Sequence, residues 1–196
     1  MAIDSGRVEA AIAEILLAIG ENPERPGLAT TPQRVAEAYQ EFFSGLGVDP
    51  LDHLRESSEF PPGAEELADV VLMRDIEFRS MCEHHLLPFV GVAHLAYRPG
   101  TRIVGLGRLP RVVETLAARP QLQERLTEEI AEALDAGLSP LGVLVVVDAV
   151  HGCVASRGAR QASSSTVTMA SRGTLSDPQA RAEIIALIGA RATEAS

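Results

Sequence analysis

Residues 81–85 read Met-Cys-Glu-His-His and so contain three potential metal ligands, Cys82, His84 and His85. In a Cys-x-x-His pair such as Cys82 and His85, a turn brings a sulfur and an imidazole nitrogen to one ion, which makes half of a zinc site. Alone, the segment is equally compatible with a buried thiol beside two surface imidazoles, because cysteine is frequently a small buried hydrophobe.

A second group of ligand types, His151 and Cys153, follows a strongly apolar segment. If a strand continues through both residues, their side chains share one face, as residues two apart on a strand do. Both cysteines and three of the five histidines thus fall in two short segments. Three protein ligands and an open fourth position are typical of catalytic zinc, whereas a fourth protein ligand makes a structural site. The spacing favours the catalytic arrangement and leaves the structural one open.

The elements that must position these segments change in type along the chain from Asp69 onward. Hydrophobic periodicity predicts strands over 70–78, 89–97, 141–150, 154–160 and 164–171, and helices over 109–118, 122–134 and from Asp177-Pro178 onward. The segment 141–150 is rich in β-branched residues, which predicts a buried strand. The order strand-strand-helix-helix-strand-strand indicates an α+β fold, an antiparallel sheet with a helix pair on one face.

The first 66 residues have a different pattern. Residues 5–20 carry one apolar helical stripe, and a second helix is predicted to begin at Thr31-Pro32 and to end near Gly45. Residues 46–66 are acidic and loop-like. We therefore predict an N-terminal helical region over 1–66 and a second domain over 67–196 that holds both metal-ligand segments.

The overall composition excludes several classes of function. Hydrophobic residues make up 46% and charged residues 22%, as is usual for a soluble globular protein. No apolar run reaches the ~20 residues of a membrane span, and the N-terminus lacks a signal-peptide pattern, so we expect a cytoplasmic protein. The net charge of −10 argues against non-specific nucleic-acid binding. In a reducing compartment, two cysteines indicate a metal site or free thiols rather than a disulfide.

Several segments resemble the GTP cyclohydrolase I family, in the order in which that family has them. The segment Cys82 to Phe89, Cys-Glu-His-His-Leu-Leu-Pro-Phe, resembles the family's zinc segment. The resemblance extends to Gln121 through Thr127, His151-Gly152-Cys153, Arg157-Gly158, Gly27-Leu28 and Thr31-Pro32-x-Arg34. It covers nearly the whole chain and is densest from 72 to 172.

This resemblance implies a zinc-dependent hydrolase that opens the imidazole ring of GTP at C8. The products would be formate and 7,8-dihydroneopterin triphosphate, in the first step of folate and pterin biosynthesis. Zn2+ would be bound by Cys82, His85 and Cys153. His151 would protonate the purine N7, a task that suits the pKa of histidine. His84 would lie close by, to orient groups or move protons during ring opening.

The resemblance also implies a binding site for the guanine base. Glu124 matches the family's guanine-reading carboxylate, which can accept hydrogen bonds from both N1–H and the exocyclic amine. Gln123, next to it, is implied to contact the substrate as well. Outside this family match, Glu124 is compatible with a solvated charge on a helix surface.

The triphosphate would be held by arginines. Arg108, Arg111 and Arg157 match the family's phosphate-binding positions, and Arg34 would reach the same phosphates from a neighbouring subunit. The sequence departs from the family here, because Gly107 stands where serine is common and Arg108 where lysine is common. A hydroxyl donor is lost, and an arginine fork does not reproduce a lysine point charge.

The family fold is the tunnelling fold, in which sheets join side by side into a barrel. Similar members form a toroidal decamer of two pentamers, with sites at subunit boundaries; closing a ring would cover open sheet edges. Three other hypotheses stay open: a paralogue with the same chemistry in deazapurine metabolism or on a variant nucleotide, a non-catalytic zinc-stabilised pterin-binding assembly, and a reductase with a cysteine nucleophile. The second would need neither His84 nor His151 beside its metal.

Overall fold

The computed structural model describes residues 3–59 and 69–190 and has a mixed α+β fold, which confirms the predicted class. Within these ranges the helices are α1 (Ser5–Ala18), α2 (Thr31–Phe42), α3 (Arg108–Ala117), α4 (Gln123–Leu138), α5 (Gly152–Ala155) and α6 (Pro178–Gly189). The strands are β1 (Ser57–Glu59), β2 (Val71–Cys82), β3 (Pro88–Arg98), β4 (Arg102–Val104), β5 (Pro120–Gln121), β6 (Gly142–His151) and β7 (Thr166–Gly173). Pro50–His53 and Thr174–Ser176 form short 3-10 helices.

The central sheet has the strand order β5-β2-β3-β6-β7. The four long strands are antiparallel to their neighbours, and β5 runs parallel to the end of β2. A separate two-stranded ribbon joins β1 to β4. Hydrophobic periodicity does not predict β1, β4 or β5, because strands of two or three residues are too short to show a period-two pattern.

Strand β6 is buried on both faces, which explains its continuous apolar sequence. Val143, Val145 and Val147 face the hydrophobic cluster under α3 and α4. Leu144 and Val146 face the opposite cluster, which α6 covers. Burial of each such side chain contributes about 1.5–3 kcal/mol. The predicted buried strand is therefore confirmed, and it carries His151 at its end.

The chain leaves the sheet after His151, so the predicted strand over 154–160 is wrong. Residues Gly152–Ala155 form α5, and the backbone N–H of Ser156 donates to the Gly152 carbonyl at 3.0 Å. Gly158 then adopts a left-handed φ of 59°. This hydrogen bond forms a turn where a strand was predicted. The chain returns to the sheet at Thr166, where β7 begins and pairs with β6. The expectation that His151 and Cys153 share a strand face is wrong for the same reason.

Strand β2 contains a bulge between Met73 and Ile76. Asp75 in the bulge adopts a left-handed φ of 58°, and its backbone N–H donates to Nδ1 of His94 on β3 at 3.1 Å. The imidazole thus satisfies the backbone donor that the bulge removes from the ladder. His94 is 7% exposed.

The N-terminal helices α1 and α2 pack against each other. Several apolar residues of α1 stay exposed, including Ile15 (53%) and Leu17 (55%). The predicted boundary between residues 66 and 67, and positions 60–66 of the predicted acidic loop, lie outside the described residues. In the part of the chain that the structure describes, no helix is both long and apolar enough to cross a membrane.

Candidate active site

Three potential metal ligands converge although they come from different elements. The Sγ atoms of Cys82 and Cys153 and a ring nitrogen of His85 lie within 4.8 Å of one another. Cys82 ends β2, His85 lies in the turn that follows, and Cys153 lies in α5. Ligands of one tetrahedral zinc ion, bound at about 2.0–2.3 Å, lie roughly 3.3–3.8 Å apart. Small side-chain movements are therefore enough to close this group around a single ion.

The turn that carries His85 is shaped by hydrogen bonds to the backbone of Cys82. The Cys82 carbonyl accepts from the N–H of Leu86 at 2.8 Å, and the Cys82 N–H donates to the Leu87 carbonyl at 2.9 Å. Leu86 has a left-handed φ of 49°. The chain thereby reverses from β2 into β3 within a few residues and keeps Cys82 and His85 on one side of the turn.

The thiol groups themselves favour a cation at this position. Burial, and after it the neighbouring Cys82 thiol, raises the pKa of Cys153, while the Arg157 guanidinium acts in the opposite direction. The Cys153 thiol therefore resists ionisation on its own. A bound metal reverses this balance, because thiolates are the form that coordinates.

His151 lies at the end of β6, beside the metal-ligand group. Its ring stacks on Phe89, with centroids 4.7 Å apart and planes at 5°. Its Nε2 lies 2.7 Å from Oε1 of Gln123. Burial lowers the pKa of His151, and the negative charge of Glu124 acts in the opposite direction. The imidazole is thus restrained on one face by the Phe89 ring and at Nε2 by Gln123.

Gln123 is 1% exposed and begins α4. Its Nε2 lies 3.1 Å from the Val147 carbonyl, 2.7 Å from the Thr166 carbonyl and 3.2 Å from Oγ1 of Thr168. The amide therefore links α4 to β6 and β7 at the point where β6 ends. These contacts place His151 relative to the first turn of α4.

The two remaining residues predicted near the base and the metal are exposed. Glu124 lies on the first turn of α4, next to Gln123. His84 lies in the turn after β2, and its ring centroid is 6.3 Å from that of His85. Both side chains can therefore reach a molecule bound in front of the metal-ligand group.

The predicted phosphate-binding arginines are spread over three elements. Arg108 begins α3 and forms an ion pair with Glu56, while Arg111 is exposed one turn later. Arg157 is exposed in the loop after α5, within electrostatic range of Cys153. Arg34 is exposed on α2, and no hydrogen bond or ion pair among residues 3–59 and 69–190 joins it to the metal-ligand group.

A network of side-chain hydrogen bonds and an ion pair links the turn that bears His85 to α4. Sequence patterns do not predict a function for these residues. The Arg125 guanidinium pairs with the Glu83 carboxylate, and its Nε donates to Oε1 of Gln121 at 3.0 Å. The Gln121 amide nitrogen donates in turn to Glu129 at 2.7 Å. All four residues lie within or next to family-like motifs, but Glu83 is distant from Arg125 in sequence, so no local pattern predicts their pairing.

A cleft of about 730 Å³ lies elsewhere, beside the open edge of β2 and the end of α2. Its lining includes Phe42, Phe78, Arg79 and Glu114 and contains none of the predicted site residues. In the group of potential metal ligands, Cys82 is buried, Cys153 is partly buried and His85 is exposed. The chemistry of the side chains, rather than the depth of a cavity, therefore marks the candidate site.

Comparison with known proteins gives the family of the chain. The GTP cyclohydrolase I family profile matches residues 8–189. A GTP cyclohydrolase 1 from Leifsonia xyli is 60% identical over 95% of this chain and 96% of its own length. The GTP cyclohydrolase 1 from Rhodopirellula baltica is 50% identical over 97% and 82%, and that from Caldanaerobacter subterraneus 49% identical over 96% and 99%. The chain therefore belongs to the GTP cyclohydrolase I family, a family of hydrolases.

Among solved structures, the crystal structure of an archaeosine synthase QueF-like protein in the apo form matches 54% of this chain and 94% of its own. The TM-score is 0.45 and the sequence identity 17%. A likeness this distant carries no argument about fold or function.

Proposed function

We propose that this chain hydrolyses the imidazole ring of GTP at C8, releases formate and forms 7,8-dihydroneopterin triphosphate, the first step of folate and pterin biosynthesis. The observation that carries the proposal is the convergence of Cys82, His85 and Cys153 within 4.8 Å in a member of the GTP cyclohydrolase I family. Cys153 is distant from Cys82 and His85 in sequence, and the fold brings its thiol to the Cys-x-x-His pair.

The donor set supports zinc as the metal. Two thiolates and one imidazole suit Zn2+, and three protein ligands leave the fourth position that catalytic zinc sites keep open. A zinc ion held there would supply Lewis acidity and would lower the pKa of water to about 7, which would provide the nucleophile for C8. Cys82, His85 and Cys153 would hold it.

His151 is the proposed proton donor to N7 of the purine, a step that makes C8 more electrophilic. Its position at the end of β6, between the metal-ligand group and the first turn of α4, supports this role. His84 is exposed next to His85 and would move protons in the later ring-opening steps.

The substrate would lie across the first turn of α4 and the start of α3. Glu124, exposed on α4, would accept from N1–H and the exocyclic amine of guanine. Arg108, Arg111 and Arg157 would bind the triphosphate, with Arg34 contributed by a neighbouring subunit. Arg108 would have to exchange its Glu56 partner for phosphate oxygens.

We propose the tunnelling fold and a decamer of two pentamers for the assembly. The support is the topology of the sheet: among residues 3–59 and 69–190, β7 is an edge strand, and β2 is paired on its outer side only at Met81 and Cys82. Such edges are open to pairing with another subunit. We also propose that 1–66 form the N-terminal helical region and 67–196 the catalytic domain, which is consistent with the packing of α1 on α2.

One assay tests the reaction. Zinc-loaded protein incubated with GTP should release formate and give a product that oxidises to a fluorescent neopterin. Parallel reactions with GDP and ATP separate GTP from a variant nucleotide as the substrate. Absence of turnover with every nucleotide would instead favour a non-catalytic zinc assembly. Loss of turnover with retained zinc in His151→Ala would support the proton-donor role, whereas full activity would remove it.

A further inference from the structure

The hydrogen bonds of Gln123 point to a role that differs from substrate contact. We propose that Gln123 is a positioning residue that holds His151 in the Nε2–H tautomer and presents its Nδ1 to the substrate. This inference deepens the proposed function and relies on it for the consequence on turnover. The tautomer itself is a property of the protein without substrate.

The orientation of the Gln123 amide is determined by its neighbours. Two of the three groups around Nε2 are the backbone carbonyls of Val147 and Thr166, at 3.1 and 2.7 Å. Carbonyl oxygens only accept, so the amide nitrogen must lie on this side. The amide oxygen then lies on the other side, 2.7 Å from Nε2 of His151. A flipped amide would set an oxygen against two oxygens.

The hydroxyl groups around Gln123 agree with this assignment. The Thr127 hydroxyl donates its one hydrogen to the Gln123 backbone carbonyl at 2.8 Å. At the 2.6 Å contact between the two threonine hydroxyls, Thr168 must therefore be the donor to Thr127. The Thr168 oxygen remains free to accept from Gln123 Nε2. The hydrogen bonds of the two threonine hydroxyls therefore each have one donor and one acceptor that agree with the assigned amide orientation.

The consequence for His151 follows directly. An amide oxygen cannot donate, so Nε2 of His151 must carry the hydrogen of the 2.7 Å contact. In the neutral ring Nδ1 then holds the lone pair. Stacking on Phe89 restrains the ring plane, and no residue in the described part of the chain hydrogen-bonds Nδ1. A proton that His151 delivers would leave from Nδ1 and return the ring to the neutral Nε2–H form.

The same contacts make Gln123 a poor substrate ligand. Its amide hydrogens point to acceptors within the fold, its oxygen points to His151, and the residue is 1% exposed. A substrate could bond Gln123 only by breaking contacts that tie α4 to β6 and β7. Glu124, its exposed neighbour, is the residue of this turn that can face the substrate.

The tautomer can be measured directly on the full-length, zinc-loaded protein. Ring-15N histidine is incorporated, and the five histidines are separated by comparison with His151→Ala. We expect nitrogen chemical shifts of an Nε2–H tautomer for His151 in the substrate-free protein. A wild-type spectrum with the hydrogen on Nδ1 would overturn the proposal without recourse to any Gln123 variant.

A matched pair of variants tests the role of Gln123. Gln123→Met keeps the length of the side chain and removes the acceptor, so we expect His151 to lose its single tautomer. We expect kcat to fall about 10- to 100-fold, with KM changed by less than about threefold. Gln121→Met is the control, because Gln121 is equally buried (0% exposed) and bonds Leu116, Arg125 and Glu129 instead; it should keep the tautomer.

Three results would contradict the positioning role: an unchanged tautomer in Gln123→Met, an equal loss of tautomer in the Gln121 control, or a raised KM with unchanged kcat. The last would show uniform substrate binding by Gln123. Failure of the proposed function is a separate outcome. Wild-type protein with the Nε2–H tautomer but without GTP turnover would retain the tautomer assignment and reject the reaction.

Discussion

The Arg125 guanidinium forms an ion pair with the carboxylate of Glu83, two positions before His85. This pair links the turn that bears His85 to α4. A backbone contact runs beside it, because the Glu83 N–H donates to the Gln121 carbonyl at 3.0 Å. These two contacts join the turn after β2 to β5 and to the first turn of α4. The proposed metal ligands and the proposed guanine reader Glu124 lie on the two sides of this connection.

Loss of the Arg125–Glu83 pair should weaken metal binding. Arg125→Met removes the ion pair and leaves the backbone contact, and we expect zinc affinity to fall by up to about fivefold, because a half-exposed ion pair contributes about 0–1 kcal/mol. Competition with a chromophoric chelator measures the change. The control is Arg172→Met, which breaks the Arg172–Glu128 pair on the same helix; equal losses in both variants would refute a specific effect of Arg125.

Substitution of a proposed zinc ligand should reduce zinc binding far more than substitution of the neighbouring His84. Replacement of Cys153 by alanine removes one of three donors, and we expect a loss of affinity beyond the about 100-fold seen for outer partners. His84→Ala should retain stoichiometric zinc, because His84 is not in the converging group. Metal analysis after dialysis distinguishes the two. Full affinity in Cys153→Ala would exclude the three-ligand site.

A hydroxyl at position 107 should strengthen binding of the triphosphate. Gly107 precedes α3 with φ −65°, and a Cβ there meets no atom within 4 Å. A hydrogen bond to a charged group is worth about 1.5–3 kcal/mol, so Gly107→Ser should lower KM for GTP roughly 10-fold with kcat unchanged. Gly107→Ala supplies the same Cβ without the hydroxyl. Identical kinetics of the serine and alanine variants would show that position 107 does not contact phosphate.

His94 should make the free energy of unfolding depend on pH. Burial lowers the pKa of His94; Asp75 and Asp148 oppose this shift, and Arg74 adds to it. The unfolded chain therefore binds a proton at His94 more readily than the folded chain does. The contribution of neutral His94 to the free energy of unfolding is fully present above the unfolded pKa of about 6.5, and it is lost as the pH falls toward the pKa of His94 in the folded chain. Urea unfolding at fixed protein concentration between pH 8 and pH 5 measures this slope.

The variant His94→Asn isolates the contribution of His94 to that slope. The asparagine Oδ1 is bonded to Cγ as Nδ1 of histidine is, so it can still accept from the Asp75 N–H but does not titrate, and the bulge keeps its partner. We expect a shallower decline below about pH 6.5 in the variant than in the wild type. Parallel pH profiles for the two proteins would assign the slope to other groups.

Gly91 should be intolerant of any side chain because of the close approach of β6. A Cβ at Gly91 would overlap the Asp148 carbonyl oxygen and lie 2.7 Å from Cα of Ala149. We expect Gly91→Ala to lower the free energy of unfolding by about 1–3 kcal/mol or more. Gly105→Ala is the control, since a Cβ there meets no atom within 4 Å. Equal stability of the two variants would contradict the contact.

Local pattern was sufficient for the features that depend on neighbours in sequence. The β-branched run of 141–150 predicted a buried strand, and Cys-x-x-His with His-x-Cys singled out the segments of potential metal ligands. The structure adds that this strand is buried on both faces. Local pattern was insufficient where contacts in the folded structure determine the backbone conformation. Residues 154–160 include valine and alanine in a strand-like pattern, yet a helical turn at Gly152 and the left-handed Gly158 take them out of the sheet.

The sequence by itself determined which donors are available, because thiols and imidazoles are present at Cys82, His85 and Cys153 whatever the fold. Only the tertiary structure decided that these donors meet within 4.8 Å, and that the Gln123 amide faces carbonyls of β6 and β7 with its oxygen toward His151. The physical reason is that each of these relationships depends on groups from separate elements. Burial of β6 between two apolar layers brings those elements together, and local spacing carries no information about that approach.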